Sequence, residues 1–317
     1  MDKQRLNLKR LFATILFSAA LIVGTDSVRR SFSDGATGEI VVKGNFKDSV
    51  TNEWSKQTND TEADISRNDT IEYLGYSKVD VPTSSVYTGS LAVISNTHPA
   101  NGIFMNMTCL SEVKNDFYSL RSDELMLNPE AANAFNELMT DYNAETGNSN
   151  IVVYNTTETC KDEDSLYEKE FIEAISGYSL DLAVMASGDY FIDYDGNDTE
   201  SWVVDNCAKY GFVVRYEQGK EASTGCEACV YHLRYVGKVH SAIMAEKDFS
   251  LEEYIDFLRM YMIDTQRFTY NLDGADYEIY YSPADTLSDM TSVRVPVAGN
   301  YTISGNNYDG FIITARK

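Results

Sequence analysis

Hydrophobic and polar positions along the chain predict a folded α+β region preceded by a polar stalk. Residues 26–72 are rich in Ser, Thr, Asn and Asp and contain few apolar clusters, which is typical of a flexible segment. Strand-like patterning begins near Tyr73 and continues through the apolar run at 91–94. The run at 151–154 predicts a short buried strand.

One helix is marked at both ends by local sequence signals. Asn128 is a favourable N-cap, Pro129 suits the first helical position, and Gly147 can end the helix. Apolar residues recur between them at helical spacing. We therefore predict a helix over 129–146.

Three further helices are expected from weaker signals. Apolar spacing predicts helices over 163–175 and 202–210. Ser250 and Glu253 have the spacing of a capping box, which predicts an amphipathic helix that runs to about residue 262.

The remaining pattern is β-rich. Residues 212–216 and 230–236 have strong strand propensity, and the tail from about 268 to 315 alternates tyrosine- and valine-rich runs with turn signals. We predict an α+β fold with a central antiparallel sheet flanked by helices, and a small C-terminal all-β appendage. The domain-like region is placed at 73–262 and the β-rich segment at 263–317.

The N-terminus predicts export. Four cations among the first ten residues precede an apolar run over 11–24, which has the length of a signal peptide. The residues before Thr25 make a poor cleavage site, so residues 1–25 are interpreted as a signal peptide or an uncleaved membrane anchor. Either alternative places the rest of the chain outside the cytoplasm, held at the cell membrane or secreted.

Charge and cysteine content exclude two classes of protein. The net charge of −23 disfavours nucleic acid as a partner, because phosphate contacts require clustered Lys and Arg. Five cysteines are too few for a disulfide scaffold, and their odd number leaves at least one thiol unpaired within a monomer.

Two segments carry a resemblance to a known family. The segment 210–216 reads YGFVVRY and 231–237 reads YHLRYVG, with Trp202 and Asn206 at matching positions upstream. These blocks resemble the VanY-like D-Ala-D-Ala carboxypeptidases, bacterial enzymes in the LAS group of zinc peptidases. The similarity extends over roughly residues 75–315. It implies a peptidase that acts on peptidoglycan stem peptides.

The resemblance implies a set of catalytic positions, and this chain departs from the set. The family binds zinc through a His, an Asp and a second His, which correspond here to Tyr178, Met185 and His232. Its general-base Glu corresponds to Cys229, and the Arg that holds the substrate carboxylate corresponds to Thr157. A phenol and a thioether are poor zinc ligands. No bound cofactor is therefore expected, and Met185 is expected to be buried and to close the former pocket together with Tyr178.

Two other chemistries remain open around His232. Cys226, Cys229 and His232 have a spacing that could form a relocated metal site, although residues three apart on a strand point to opposite faces. Cys229 and His232 could instead form a nucleophile pair, but no third member is apparent. His240 is expected to face solvent or to pack on the helix after Gly237.

The sequence thus predicts a D-Ala-D-Ala carboxypeptidase-like protein of the cell envelope that is a pseudoenzyme. Its role would be binding or scaffolding, with peptidoglycan or a cell-envelope protein as partner and the membrane contacted through the N-terminal segment. The alternative is an active zinc D,D-carboxypeptidase that trims peptidoglycan stem peptides.

Overall fold

The computed structural model of the chain describes residues 75–101, 106–158, 173–188 and 190–317, together with the backbone of residues 42–43. The N-terminal segment, almost all of the stalk and most of the helix expected over 163–175 lie outside these residues. Within the described part of the chain, no helix combines the length and the apolar character needed to cross a membrane.

The described residues form sixteen strands and six α-helices, joined by short 3-10 turns. The strands are β1 (Val42–Lys43), β2 (Tyr76–Pro82), β3 (Thr108–Cys109), β4 (Ser119–Leu120), β5 (Leu125–Leu127), β6 (Ile151–Asn155), β7 (Thr157–Glu158), β8 (Ser179–Ser187), β9 (Tyr190–Asp193), β10 (Phe212–Tyr216), β11 (Cys229–Tyr235), β12 (Phe268–Leu272), β13 (Ala275–Pro283), β14 (Met290–Pro296), β15 (Asn300–Gly305) and β16 (Gly310–Arg316). The helices are α1 (Leu110–Val113), α2 (Pro129–Thr146), α3 (Ser201–Asn206), α4 (Glu221–Thr224), α5 (Lys238–Lys247) and α6 (Leu251–Leu258).

A central sheet with strand order β10-β11-β8-β6-β4 carries the candidate site, and β9 pairs with β8. Its pairs are antiparallel except for the parallel pair of β4 with β6. Helix α2 covers one face, and its residues Phe135 and Leu138 pack against Leu180 and Leu182 in one buried cluster. The α+β class and the central sheet are therefore confirmed.

The C-terminal β-rich segment is also confirmed. Strands β1, β15, β16, β13 and β12 form an antiparallel sheet, and β14 pairs separately with β2. Helices α5 and α6 pack on one face of the sheet, where Ile243 and Ile255 meet Ile279 and Ile312. The opposite face is buried in a third cluster that includes Phe311.

Local signals predicted the helix ends well. The Asn128 side chain accepts a hydrogen bond from the amide of Glu130, and Gly147 adopts the left-handed conformation at φ 71°. Ser250 and Glu253 form the complete capping box, although α6 ends at Leu258, before the expected residue 262.

The strand expected over 91–94 is absent from the described structure. These residues form a buried turn whose backbone groups hydrogen bond to side chains of the C-terminal region. The amide of Leu91 donates to Ser304 Oγ at 3.0 Å, and Asn307 Nδ2 donates to the Val93 carbonyl at 2.7 Å. A buried apolar run is compatible with strand or turn, so periodicity alone could not decide.

Candidate active site

The pairing of β8 with β11 places a histidine opposite an aspartate. His232 is in register with Asp181, and its Nδ1 hydrogen bonds to Asp181 Oδ1. Its Nε2 lies 3.1 Å from Glu173 Oε2. Asp181 also accepts a hydrogen bond from Asn155 Nδ2 at 3.2 Å, on the neighbouring strand β6. Both ring nitrogens of His232 therefore face carboxylates.

Glu173 is the centre of a larger buried ion network. Arg215 Nε lies 2.9 Å and Arg234 Nη1 lies 2.8 Å from Glu173 Oε1, and both guanidinium side chains are fully buried. Arg215 also forms a two-pronged pair with Glu252, at 2.8 and 2.5 Å. We refer to these residues as the Glu173 network: Glu173, Asp181, Arg215, His232, Arg234 and Glu252.

The environment fixes the charge on His232. Burial alone would lower its pKa, but hydrogen bonds to Asp181 and Glu173, together with their charges, raise the pKa to about 9. Burial would likewise raise the pKa of Glu173, yet the guanidinium groups of Arg215 and Arg234 hold it well below its usual range. At neutral pH the network thus contains three cations and three carboxylates, which is how buried charges are normally tolerated.

This charge state bears on metal binding. A zinc ion takes the lone pair of a neutral imidazole nitrogen, so a metal-bound histidine must leave at least one nitrogen unprotonated. An ionised carboxylate accepts hydrogen bonds but cannot donate them. Both nitrogens of His232 therefore act as donors here. In this arrangement a zinc ion would have to displace a proton, and one of the two carboxylates, before it could bind His232.

The family's other two ligand positions do not lie beside this imidazole in one pocket. Tyr178 is buried in the hydrophobic cluster under α2, where its hydroxyl accepts a hydrogen bond from Asn128 Nδ2 at 3.1 Å. Met185 is only half-buried, towards the end of β8 and in register with Phe191 on β9. The expectation that Met185 is buried and closes the old pocket with Tyr178 is therefore wrong: Met185 lies half-buried between β9 and Asn150, whose carbonyl accepts its amide at 2.7 Å.

The positions of the carboxylate clamp and of the general base carry short polar side chains. The Thr157 hydroxyl donates to the carbonyl of Ala174, next to Glu173 in sequence. Cys229 is half-buried at the start of β11, and burial raises the pKa of its thiol. A raised thiol pKa opposes the nucleophile hypothesis for Cys229 and His232, because the thiolate is the reactive form.

The relocated metal site also lacks support from its histidine. Cys226 and Cys229 are free thiols, as are the other described cysteines, Cys109 and Cys207; Cys160 lies outside the described residues. His232 directs both nitrogens to Asp181 and Glu173 instead. In the part of the chain that the structure covers, no group of three or more His, Cys, Asp and Glu side chains is arranged to hold a metal ion.

A surface cleft of about 290 Å³ opens beside Asp181. Tyr154, Phe191 and Tyr231 line it with aromatic surface, and Asp193 adds a second carboxylate. Tyr154 and Tyr231 are 44% and 41% exposed, so the cleft presents aromatic surface to solvent. The cleft gives the Asp181 side of the Glu173 network a route to solvent.

Sequence reasoning missed most of the Glu173 network. Glu173, Arg215, Arg234 and Glu252 were not singled out, because charged residues are usually exposed. A signal was present: Asp181, Arg215 and Arg234 each stand between apolar or aromatic neighbours on a short strand. Charges of both signs in buried strands predict an internal ion cluster.

The other two histidines are structural. His240 is buried in α5, with Nδ1 2.8 Å from the Tyr254 hydroxyl and Nε2 2.9 Å from Thr314 Oγ1, so of the two expected placements the solvent-facing one is wrong. Burial lowers the pKa of His240 to about 3. His98 lies in a loop against the ring of Tyr308, at 4.2 Å between ring centroids.

Comparison with known proteins places these residues in a family. Residues 173–238 match the family model described as VanY, D-alanyl-D-alanine carboxypeptidase. A D-alanyl-D-alanine carboxypeptidase from Enterococcus faecium is 32% identical over 248 residues, which is 74% of this chain and 77% of the relative. The chain belongs to the D-alanyl-D-alanine carboxypeptidase family.

Two further similarities agree with this assignment. The bifunctional D-Ala-D-Ala dipeptidase and carboxypeptidase VanXYC of Enterococcus gallinarum is 43% identical over 49 residues, 16% of this chain and 26% of the relative. The crystal structure of the vancomycin resistance D,D-dipeptidase VanXYg, in complex with a D-Ala-D-Ala phosphinate analogue, superposes with a TM-score of 0.64 at 25% identity and covers 76% of this chain and 99% of that one. The stretch matched by the carboxypeptidase family model contains every member of the Glu173 network except Glu252.

Proposed function

We propose that this member of the carboxypeptidase family is a non-catalytic, zinc-free binding protein of the cell envelope. The observation that carries the proposal is the pairing of both His232 nitrogens with carboxylates. An imidazolium cannot coordinate zinc, and the network around it is already neutral without a metal. The former ligand histidine would act instead as a buried cation.

The substitutions around His232 support the same proposal. Without a bound zinc ion, no group would lower the pKa of an attacking water, and Cys229 offers no carboxylate to take its proton. The Thr157 hydroxyl donates its hydrogen bond to the Ala174 carbonyl, and the side chain has no positive charge that could bind a substrate carboxylate. Each function needed for hydrolysis would have to be supplied by a residue other than the one at the family's position.

The proposed binding role uses the cleft beside Asp181. Its aromatic walls and its two carboxylates, Asp181 and Asp193, suit a peptide that carries an amine, and relatives of this chain are named for peptides that end in D-Ala-D-Ala. We propose peptidoglycan or a cell-envelope protein as the partner, with the chain outside the cytoplasm. Its attachment through residues 1–25 is part of this proposal.

Histidine protonation provides the test. The chain has three histidines, so ring nitrogen resonances can be assigned with His98→Gln, His232→Gln and His240→Gln variants. At pH 7 we expect His232 to show two protonated nitrogens and His240 to show one. Zinc content of the purified protein should be well below one ion per chain, and added zinc should leave the His232 resonances unchanged.

The rival function is an active zinc D,D-carboxypeptidase. Its signature would be one zinc per chain with a neutral, metal-bound His232, and release of D-Ala from a peptide ending in D-Ala-D-Ala that a chelator abolishes. The proposal predicts no turnover above the blank with or without zinc. His98→Gln is the matched control, since it removes a histidine remote from the Glu173 network.

A further inference from the structure

Strand β9 has one edge that no other strand of the described structure covers. It pairs with β8 on its other side, and among the described residues nothing extends the sheet beyond it. Alternate amides and carbonyls of β9 therefore point away from the sheet. Tyr190 and Ile192 are 66% and 46% exposed, so this edge carries apolar side chains where edge strands usually carry charges or proline.

The central sheet splits beside this edge. The first half of β8 pairs with β11 up to the register of Asp181 with His232, and its second half pairs with β9 from Ala183 onwards. The cleft of about 290 Å³ lies where β8 changes its partner, and Leu182 and Ala183 form part of its lining. Residues 191–193 belong both to β9 and to the lining, so the edge and the cleft form one continuous surface.

The cleft offers aromatic contacts and negative charge to a segment that pairs with β9. The rings of Tyr154 and Phe191 meet edge to face, with 6.4 Å between their centroids, and Tyr231 adds a third ring. Among the described residues that line the cleft, the two charged ones are Asp181 and Asp193. A lysine or arginine in the incoming segment would therefore meet opposite charge and aromatic faces that attract cations.

The charge of the whole chain favours a basic partner over a second copy. The chain has 49 acidic and 26 basic residues, so two copies would bring like charges together at this edge. The aromatic wall already holds one cation, because the Arg121 guanidinium lies 5.1 Å from the centroid of the Tyr154 ring. The surface is thus suited to an extended segment that is positively charged.

We infer that the free edge of β9 binds an extended, basic segment of a partner protein as an additional strand. The backbone of the segment pairs with residues 190–193, and one of its lysine or arginine side chains enters the cleft near Asp181 and Asp193. The inference rests on the proposed function for its use of the cleft, and it adds the conformation and the charge of the partner. Zinc binding at His232 plays no part in it.

Calorimetric titration of the full-length protein with short peptides, in the presence of a chelator, tests the inference. The first probe is a peptide of alternating lysine and valine that is blocked at both ends, and the second has glutamate in place of lysine. We expect the basic peptide to bind and the acidic peptide to bind at least tenfold more weakly, because only the first complements the charge of the cleft.

Two N-methylated versions of the basic peptide test the strand pairing itself. One carries the methyl groups on its lysine amides and the other on its valine amides, so each blocks the hydrogen bonds of one edge of the peptide. A strand pairs with β9 through one edge only. One version should therefore lose binding about tenfold or more, and the other should retain it.

Variants of the protein locate the binding. Ile192→Lys should weaken binding of the basic peptide about tenfold or more, because it places a like charge on the pairing edge. Asp193→Asn should weaken it less. Met290→Lys and Asp289→Asn are the matched controls and should leave binding unchanged, since both residues are exposed at the start of β14, in another sheet.

Several results would overturn the inference: no binding of the basic peptide, equal binding of the two N-methylated versions, or binding that Ile192→Lys leaves unchanged. Tighter binding of a lysine peptide that ends in D-Ala-D-Ala would also overturn it. A concentration-dependent dimer that Ile192→Lys abolishes would identify a second copy as the occupant and would contradict a basic partner. None of these results concerns the protonation of His232, so the inference and the zinc-free proposal can fail separately.

Discussion

Two buried histidines, one on a strand of the central sheet and one in helix α5, have opposite charge states. His232 and His240 are 6% and 5% exposed, and each has both ring nitrogens hydrogen-bonded. His232 lies between two carboxylates, which accept only, whereas His240 lies between the hydroxyls of Tyr254 and Thr314, which can donate or accept. The pKa is raised to about 9 in the first and lowered to about 3 in the second.

The difference shows that burial alone does not determine the protonation of a histidine. Desolvation disfavours the cation at both sites, and at His232 the hydrogen bonds to Asp181 and Glu173, together with their charges, reverse the direction of the pKa shift. In the D-Ala-D-Ala carboxypeptidase family the second ligand histidine must be neutral to bind zinc. Under the zinc-free proposal, the two neighbours Glu173 and Asp181 are the groups that would make His232 a buried cation in place of a metal ligand.

Of the substitutions that test this difference between the two histidines, Glu173→Gln should have the largest effect on stability. It removes the anion shared by Arg215, Arg234 and His232, and it leaves buried cations without compensation. We expect a loss of about 3–5 kcal/mol in the free energy of unfolding, measured by urea melts. Glu252→Gln is the control and should cost less, because Glu252 pairs with Arg215 alone in the network. Equal effects would show that Glu173 is not its centre.

The two histidines should also give opposite pH dependences of stability. The folded pKa of His232 lies above its unfolded value, so its contribution is complete below about pH 6.5 and is lost as pH rises through about 9. The loss is up to about 3 kcal/mol. His232→Gln should flatten the wild-type decline between pH 6.5 and 9.5. His240 has a lowered pKa, so its contribution is lost as pH falls below 6.5, and His240→Gln should leave the alkaline limb unchanged.

The smallest predicted effect concerns the hydroxyl partners of His240. Thr314→Val removes the group that lies 2.9 Å from Nε2 and leaves that nitrogen unpaired in the core. The cost should be about 1–3 kcal/mol by thermal or urea unfolding. Thr302→Val replaces the threonine in register with Thr314 on β15, one strand further from His240, and serves as the control. A cost for Thr302→Val as large as that for Thr314→Val would argue against a specific role of the hydrogen bond.

The features that could be predicted from the sequence are those whose interacting residues lie close together along the chain. Asn128 and Gly147 delimit α2 because each acts on its own turn of helix. The Glu173 network joins residues 37 to 61 positions apart, from Arg215 with Glu252 to Glu173 with Arg234, and no local pattern encodes those pairs. Motif comparison located the strand of His232 but could not show that the imidazole is protonated, because Glu173 lies outside the family's catalytic motifs.

The pairing of β2 with β14 has a consequence for the order of folding. Pro82 is in register with Met290 and Tyr76 with Pro296. The first long strand of the described region therefore pairs with a strand more than two hundred residues later in the sequence. Contacts of such long sequence separation form slowly, since a large loop must close first. The chain cannot form this pair of strands until β14 is synthesised, and a truncation that removes β14 would leave the edge of β2 open to pairing between molecules.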